Sequence, residues 1–130
     1  MALHLIDFYD RGFIQAHPRA LFVFGDNMTR EGSGGQAFAA RHEPNVIGIP
    51  TLHTPGVPFT NADWDNPVIQ ARIAVAFGEI ILALEEYHID VYWPSAGVGT
   101  GIANLPVNAP RIFAEIEAFR LGLFLEHPPK

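Results

Sequence analysis

Ala20-Leu21-Phe22-Val23-Phe24 is an uninterrupted apolar run that continues directly into Gly25-Asp26-Asn27. Such a run predicts a strand that is covered on both faces, as in parallel sheets. The same order returns later, where the strand-like residues 89–93 precede the glycine-rich residues 94–101. Stretches of helical composition follow both glycine-rich segments, so we expect two strand–loop–helix units.

The remaining segments continue this alternation. Residues 3–8 are either a first strand or the lead-in to a helix over 8–17, and we favour the strand. The further expected elements are a helix over 34–42, a strand over 45–49 ended by Pro50, a long loop over 50–67, a helix with Asn66 as N-cap and Pro67 in its first turn, and a last helix from about 108 with Pro110 in its first turn. We expect one domain over residues 1–130, with 125–130 as a loose tail.

The helix after Pro67 has the clearest periodicity. Its apolar residues recur at helical spacing and are expected to face the core: Ile69, Ile73, Phe77, Ile80, Ile81 and Leu84. Strands that alternate with helices predict a three-layer α/β/α fold around a mainly parallel, mixed sheet. Ligands of such sheets bind beyond the carboxyl ends of the strands, where both glycine-rich segments are expected.

The amino-acid composition of the chain restricts the kinds of ligand that we expect it to bind. The chain has 14 acidic residues against 8 basic ones, a net charge of −6, and its single lysine is Lys130. This balance disfavours generic nucleic-acid binding, although backbone N–H groups can still hold a small anion. Cysteine is absent, which excludes disulfides and thiolate metal sites and fits a reducing cytoplasm.

No segment predicts membrane insertion. His4, Asp7 and Asp10 interrupt the first residues, unlike the apolar core of a signal peptide. Arg72 and Glu79 interrupt the most apolar helix, which we expect to be too short and too polar to span a bilayer. We therefore expect a cytoplasmic protein without membrane contacts.

Both segments contain more glycine than tight turns require. The glycines are Gly25, Gly32, Gly34 and Gly35 in the first segment and Gly97, Gly99 and Gly101 in the second. Without a Cβ, glycine reaches positive φ and lets backbone N–H groups approach a ligand. Successive N–H groups then form a concave anion site. Two such segments at one sheet edge predict a ligand with more than one phosphate.

These motifs resemble those of a macro domain, the α/β module that binds ADP-ribose and related nucleotides. The segment from Trp93 to Pro106 is similar to the family's strand, proline and small-residue turn. Asn27 precedes the run Gly32-Ser33-Gly34-Gly35 at the family's spacing, and Gly48-Ile49-Pro50-Thr51 is similar to a stretch of a branch that reverses ADP-ribosylation. The pattern from Phe24 to Ala37 also resembles an uncharacterised macro-like group of bacteria and their viruses.

The resemblance implies a macro-like fold and a set of ligand contacts. Asn27 would hydrogen-bond ribose hydroxyls, and Thr51 would lie beside the ligand. The residues implied around the phosphates and distal ribose are Gly25, Gly32, Ser33, Gly34, Gly35, Gln36, Ser95, Ala96, Gly97, Val98, Gly99, Thr100 and Gly101. An acidic residue, either Asp7 or Asp10, would meet the adenine amino group.

Binding follows from the resemblance, but hydrolysis does not. One hydrolytic branch places an aspartate after the glycine run, where this chain has Gln36. Another places a lysine inside the run, at Ser33 or Gly34 here, and an aspartate near Pro106. Neither catalytic set is present. If the chain hydrolyses ADP-ribosyl linkages, Asp26 is the best candidate for a general base, with Asn27 orienting the ribose.

The polar candidates also have structural interpretations. Asp26 and Asn27 can cap a turn through bonds from side chain to backbone. Gln36 can be an ordinary solvent-facing helical residue. The hydroxyls of Ser95 and Thr100 can stabilise their own turn instead of binding phosphate.

The sequence predicts neither a metal site nor a cofactor. The possible metal ligands match no familiar spacing: His42, His53, Asp63 and Asp65. Complete phosphate-loop and dinucleotide-fold motifs are also absent from the sequence. Two hypotheses lead: an ADP-ribose-type binder with hydrolytic activity, and a non-catalytic reader or sequestering module. A structural or assembly role is the third.

Overall fold

The computed structural model describes residues 3–32, 37 and 40–128. Within them, five strands form one sheet in the order β1-β5-β2-β3-β4. The strands are β1 (Leu3–Ile6), β2 (Leu21–Asn27), β3 (Val46–Thr54), β4 (Val57–Pro58) and β5 (Val91–Pro94). Neighbouring strands are parallel except for the antiparallel pair β3 and β4. The sheet is therefore mixed and mainly parallel, as the alternating pattern predicts.

Helices cover both faces of the sheet. The described helices are α1 (Arg11–Ala16), α2 (Pro67–Glu85), α3 (Leu105–Asn108) and α4 (Pro110–Glu126), with a 3-10 helix at Asn61–Asp65. Phe22 and Phe24 of β2 pack with Ile14 of α1, whereas Val23 packs in a second cluster with α2 and α4. Alternate side chains of a strand point to opposite faces. The three-layer α/β/α arrangement predicted from the sequence is confirmed.

The first residues supply both of the elements that the sequence left open. β1 pairs with β5, from Leu3 opposite Val91 to Ile6 opposite Pro94. Helix α1 then begins after Asp10, whose Oδ1 accepts a hydrogen bond from the Phe13 N–H at 2.8 Å. The short polar segment between Ile6 and Arg11 ends the strand before the helix starts.

Two strands extend further than predicted. β2 includes Gly25, Asp26 and Asn27, which the sequence assigns to a loop, because their partners on β3 continue the ladder. β3 continues through Pro50, where the sequence predicts its end. Proline lacks an N–H and is tolerated where a strand has no neighbour on one side. Away from β2, the first described ladder contact of β3 comes later, between Leu52 and Pro58.

The predicted long loop over 50–67 is wrong. This segment holds the end of β3, the strand β4 and the 3-10 helix. Gly56, with φ +81°, makes the tight turn between the two strands. Thr60 and Asp63 cap the 3-10 helix reciprocally, since the Thr60 N–H donates to Asp63 Oδ2 at 2.9 Å. Local capping thus orders a segment that its proline and glycine content marks as irregular.

Helix α2 begins as predicted. Asn66 Oδ1 accepts hydrogen bonds from the N–H groups of Val68 and Ile69, at 3.0 and 3.2 Å. Most of the predicted stripe is buried, but Ile81 is 38% exposed. Consecutive helical residues point about 100° apart. Ile81 lies about 100° around the helix from the buried Ile80, away from the core contacts of that residue, and its predicted burial is wrong.

Helix α2 also meets the length and composition requirements of a membrane span, with a mean hydropathy of 1.7 over its most apolar window. The prediction that Arg72 and Glu79 make it too short and too polar is therefore wrong on those criteria. Its residues Ile69, Ile73 and Leu84 nonetheless belong to the hydrophobic core of the domain. Core helices of soluble proteins pass the same test, so this is weak evidence for a membrane span.

The last helix extends into the segment predicted as a loose tail. A single turn, α3, precedes α4, and α4 starts at Pro110 as expected. It continues to Glu126, and the His127 N–H donates to the Leu123 carbonyl at 2.7 Å. Leu123 is buried in the core and anchors the final turn. A loose tail therefore does not begin at residue 125, while residues 129–130 lie outside the described residues.

Candidate functional site

The two glycine-rich segments meet at one cleft of about 700 Å³, beyond the carboxyl ends of β2 and β5. Their closest described approach is between Gly25 and the second segment. A Cβ at Gly25 would lie 3.5 Å from the Gly99 nitrogen and 3.3 Å from Thr51 Cγ2. The end of β2 at Gly25 therefore lies against the second segment, with Thr51 beside them.

The second segment is a tight turn that requires glycine. Gly97 and Gly99 have φ values of +94° and +82°. The Gly99 carbonyl accepts a hydrogen bond from the Leu105 N–H at 2.9 Å. A Cβ at Gly99 would overlap the Leu105 side chain, coming within 2.8 Å of its Cγ. Both backbone conformation and space thus exclude a larger residue at position 99.

The turn leaves a run of backbone donors without partners. Within the described part of the chain, the N–H groups of Val98, Gly99, Thr100 and Gly101 donate no hydrogen bond. Gly99, Thr100 and Gly101 line the cleft. Consecutive unpaired N–H groups around glycines are the ordinary form of an anion-binding turn.

Some predicted ligand contacts in this segment have other roles. The Val98 side chain is buried in the core. The Thr100 hydroxyl donates to the Ala96 carbonyl at 2.9 Å, so it stabilises the turn. The Ser95 hydroxyl donates to Asp7 Oδ1 at 2.5 Å and joins the turn to the end of β1. Neither Ser95 nor Val98 lines the cleft, whereas Ala96 and Gly97 do.

Asn27 organises the start of the first segment. Its Oδ1 accepts hydrogen bonds from the Thr29 hydroxyl at 2.8 Å and from the Glu31 N–H at 3.1 Å. Its Nδ2 donates to the Glu31 carbonyl at 2.6 Å. The side chain lines the cleft but is only 6% exposed. This geometry corresponds to the turn-capping interpretation of Asn27.

Asp26 forms a buried ion pair with Arg41 at the base of the cleft. Arg41 Nη2 donates to Asp26 Oδ1, and Arg41 Nε donates to Oδ2 at 3.4 Å. Oδ1 also accepts from the Asn27 N–H at 2.8 Å. Because both carboxylate oxygens are engaged, Asp26 is not placed as a free general base.

The start of the first glycine run also borders the cleft. Gly32 has φ +110° and lies against Pro55, to which a Cβ would approach within 3.2 Å. Its carbonyl accepts a hydrogen bond from Arg41 Nη1 at 3.0 Å. The predicted contacts Ser33, Gly34, Gly35 and Gln36 lie outside the described residues.

Four described charged groups line the cleft, and three of them are carboxylates. The carboxylates are those of Asp7, Asp26 and Glu31, and the fourth group is the guanidinium of Arg41. Asp7 is thus on the cleft, whereas Asp10 caps α1 and does not line it. Of the two acidic residues considered for adenine, the geometry favours Asp7.

A second groove of about 700 Å³ lies between β3 and α2. It shares Asp26 and Asn27 with the cleft and is lined on its outer side by Arg30 and Val68. Arg30 Nε lies 3.9 Å from Asp26 Oδ2, but its side chain is 57% exposed. The two grooves therefore meet at the end of β2.

A family model matches residues 5–119, which include both glycine-rich segments, and it is described as a Family of unknown function (DUF7831). The chain belongs to this family. No curated protein and no solved structure matches the chain of this DUF7831 member. The resemblance to macro domains therefore stays a hypothesis that stands on the motifs and the cleft.

The candidate metal ligands of this DUF7831 chain do not converge as a set. His53 Nε2 lies 2.9 Å from Asp63 Oδ2, where it joins β3 to the 3-10 helix cap. Among the described residues, the group with metal-binding geometry is a different one: Glu85, Glu126 and His127. Two of the three are exposed, and none lines the cleft.

Sequence reasoning missed part of the cleft. Arg41, Glu31 and Ile102 line it but carry no motif that singles them out. Pro55 and Gly56 also line it, because the β3–β4 hairpin replaces the predicted loop. Arg41 in particular contacts Asp26, which lies 15 positions earlier in the chain, and a single sequence holds no signal for that pairing.

Proposed function

We propose that this chain binds ADP-ribose or a related NAD-derived nucleotide in the cleft between its two glycine-rich segments. The observation that carries the proposal is the convergence of Gly25 and Gly99 above unpaired N–H groups at the ends of two parallel strands. The cleft volume of about 700 Å³ also falls within the usual range of ligand pockets, about 300–1,000 Å³.

The polar groups of the cleft match different parts of such a ligand. The N–H groups of Gly99, Thr100 and Gly101 would donate hydrogen bonds to the diphosphate, since fixed amides need no reorganisation to bind an anion. The carboxylates of Asp7 and Glu31 would repel phosphate but accept hydrogen bonds from ribose hydroxyls or the adenine amino group. This division would put the diphosphate, which joins the two riboses of the ligand, at the second segment.

A charge introduced at Gly101 tests the binding site. Gly101 lines the cleft and a Cβ there meets nothing within 4 Å, so Gly101→Glu introduces a negative charge at the lining with open space at its Cβ. We expect ADP-ribose affinity measured by calorimetry to fall by at least about tenfold, because like charges in an interface cost several kcal/mol. Gly122→Glu on α4 is the matched control, since its Cβ also meets nothing within 4 Å. Equal affinities of the two variants would reject this cleft as the site.

The contacts of Asp26 and Asn27 favour the non-catalytic reader over the hydrolase. Both side chains are buried, and their oxygens are occupied by Arg41 and by the first segment. Neither group is therefore poised to activate a water molecule.

We accordingly expect no turnover of ADP-ribosylated substrates. Incubation with ADP-ribosylated protein or DNA should release no ADP-ribose above a protein-free control, while free ADP-ribose still binds. Release that disappears in Asn27→Ala would instead establish the hydrolase. A cytoplasmic location and the lack of a cofactor requirement stay predictions.

A further inference from the structure

Arg41 is the one cation among the described residues that line the cleft. We propose that Arg41 binds a phosphate oxygen of the ligand directly and makes the cleft selective for phosphate-bearing ligands. The inference deepens the proposed function. The identification of the ligand as a nucleotide rests on that function, whereas the contact between Arg41 and a phosphate does not. It adds a buried side-chain contact to a site otherwise built from backbone N–H groups.

The guanidinium is held rigidly before any ligand arrives. It donates to both carboxylate oxygens of Asp26 and, at 3.0 Å, to the Gly32 carbonyl. Its side chain is 6% exposed. A guanidinium carries five N–H groups. Three are used in these bonds, so two remain without a partner in the described part of the chain.

The negative charge of the cleft lining favours a cation, such as the Arg41 guanidinium, beside a bound phosphate. Asp7, Asp26 and Glu31 give the lining a net negative charge despite Arg41. A diphosphate would face this charge with only neutral amides in its favour if Arg41 were absent. Charge interactions strengthen as exposure to water falls. A guanidinium also matches the geometry of phosphate oxygens and is commonly used to bind them.

The fixed position of the Arg41 guanidinium lowers the entropy cost of its contact with a phosphate. Asp26 and Gly32 together hold the Arg41 guanidinium through its Nε and both Nη atoms, so ligand binding does not have to order a free side-chain end. The Gly32 bond also links the guanidinium to the start of the first glycine run. A phosphate on Arg41 would therefore lie where the two segments approach each other.

The test compares ligands with and without phosphate. Wild type and the double variant Asp26→Asn/Arg41→Gln are titrated with inorganic pyrophosphate, ADP-ribose and adenosine. The double change removes both charges of the pair and leaves no buried ion unpaired, and urea denaturation checks that it folds. We expect pyrophosphate and ADP-ribose to bind at least about tenfold more weakly, and adenosine to bind unchanged. Arg30→Gln is the control for loss of an exposed arginine beside Asp26.

Arg41→Lys is a second variant that keeps a cation next to Asp26. Because an ammonium lacks the planar fork of a guanidinium, we expect pyrophosphate binding to weaken by about threefold or more. This variant keeps the inference testable if the double variant does not fold. An unchanged affinity for pyrophosphate in either folded variant would overturn it.

The remaining outcomes separate this inference from the proposed function. Equal losses for adenosine and ADP-ribose would mean that Arg41 only shapes the cleft, which overturns the inference. Pyrophosphate binding that depends on Arg41, without ADP-ribose binding, would support the inference and reject the nucleotide. No binding of any of the three ligands by the wild type would overturn both.

Discussion

Gly99→Ala is expected to lower the free energy of unfolding by about 2–5 kcal/mol and to weaken ADP-ribose binding by at least about tenfold. Two effects add. Alanine is strained at the φ of +82°, and its Cβ would overlap the Leu105 side chain, with Cγ only 2.8 Å away. Leu105 is fully buried and cannot move aside freely. Urea denaturation and calorimetry measure the two quantities.

Gly101→Ala is the matched control for this change. Gly101 lies two residues further along the same segment, has no positive φ, and offers its Cβ open space. Its effect on unfolding is expected to stay within about 0.5 kcal/mol. Equal stability of the two variants would show that position 99 does not require glycine, and the geometry of the turn would then be wrong.

Removing one member of the Asp26–Arg41 pair is expected to have the second large effect. In the described part of the chain, Arg41→Gln leaves the Asp26 carboxylate, which is 5% exposed, with only the exposed Arg30 guanidinium as a cation, whose Nε lies 3.9 Å from Asp26 Oδ2. Breaking a buried pair by removing one partner costs about 3–5 kcal/mol in unfolding free energy, and we expect a loss toward the lower end of that range. Arg30→Gln, which removes an arginine that is 57% exposed, is expected to cost less than about 1 kcal/mol.

The double variant Asp26→Asn/Arg41→Gln separates pairing from simple loss of the arginine. Because it removes both charges together, its unfolding free energy should be higher than that of Arg41→Gln alone. Denaturant titration of the wild type, the single variants and the double variant completes the cycle. Additive losses would show that the two side chains do not interact in solution.

Local signals were enough to predict most of the fold. The apolar run before Gly25 predicts β2, and Asn66 with Pro67 predicts the start of α2, because a cap and a strand core are properties of neighbouring residues. The predictions failed where partners decide the structure. β3 passes through Pro50 at a point where its side away from β2 has no described ladder contact, and Ile81 is exposed because the way the helix is rotated against the sheet leaves it outside the core.

The candidate site likewise contains residues that the sequence identifies and residues that only the tertiary structure brings together. Glycines at 97 and 99 could be identified from the sequence, since their positive φ values are a local requirement of the turn. The bond between Arg41 and Asp26 could not be identified, because it joins residues 15 positions apart that only the tertiary structure brings together. Val98 is implied as a ligand contact by the resemblance to macro domains, yet its side chain belongs to the core.

An acidic protein that binds the diphosphate of a nucleotide needs its hydrogen-bond donors and cationic groups to be gathered at the binding site. Among the described residues of this chain, the unpaired N–H groups of the second segment and the guanidinium of Arg41 lie on the same cleft. The net charge of −6 is therefore compatible with an anionic ligand, because short-range donors rather than overall charge determine its binding.

An amide NMR titration with ADP-ribose tests the convergence of the two segments most directly. If both segments hold one ligand, the backbone resonances of Gly25, Gly99 and Gly101 will shift together along a single binding curve, while Gly122 will not move. Shifts confined to other parts of the chain, or none at ligand concentrations of about 1 mM, would contradict the account.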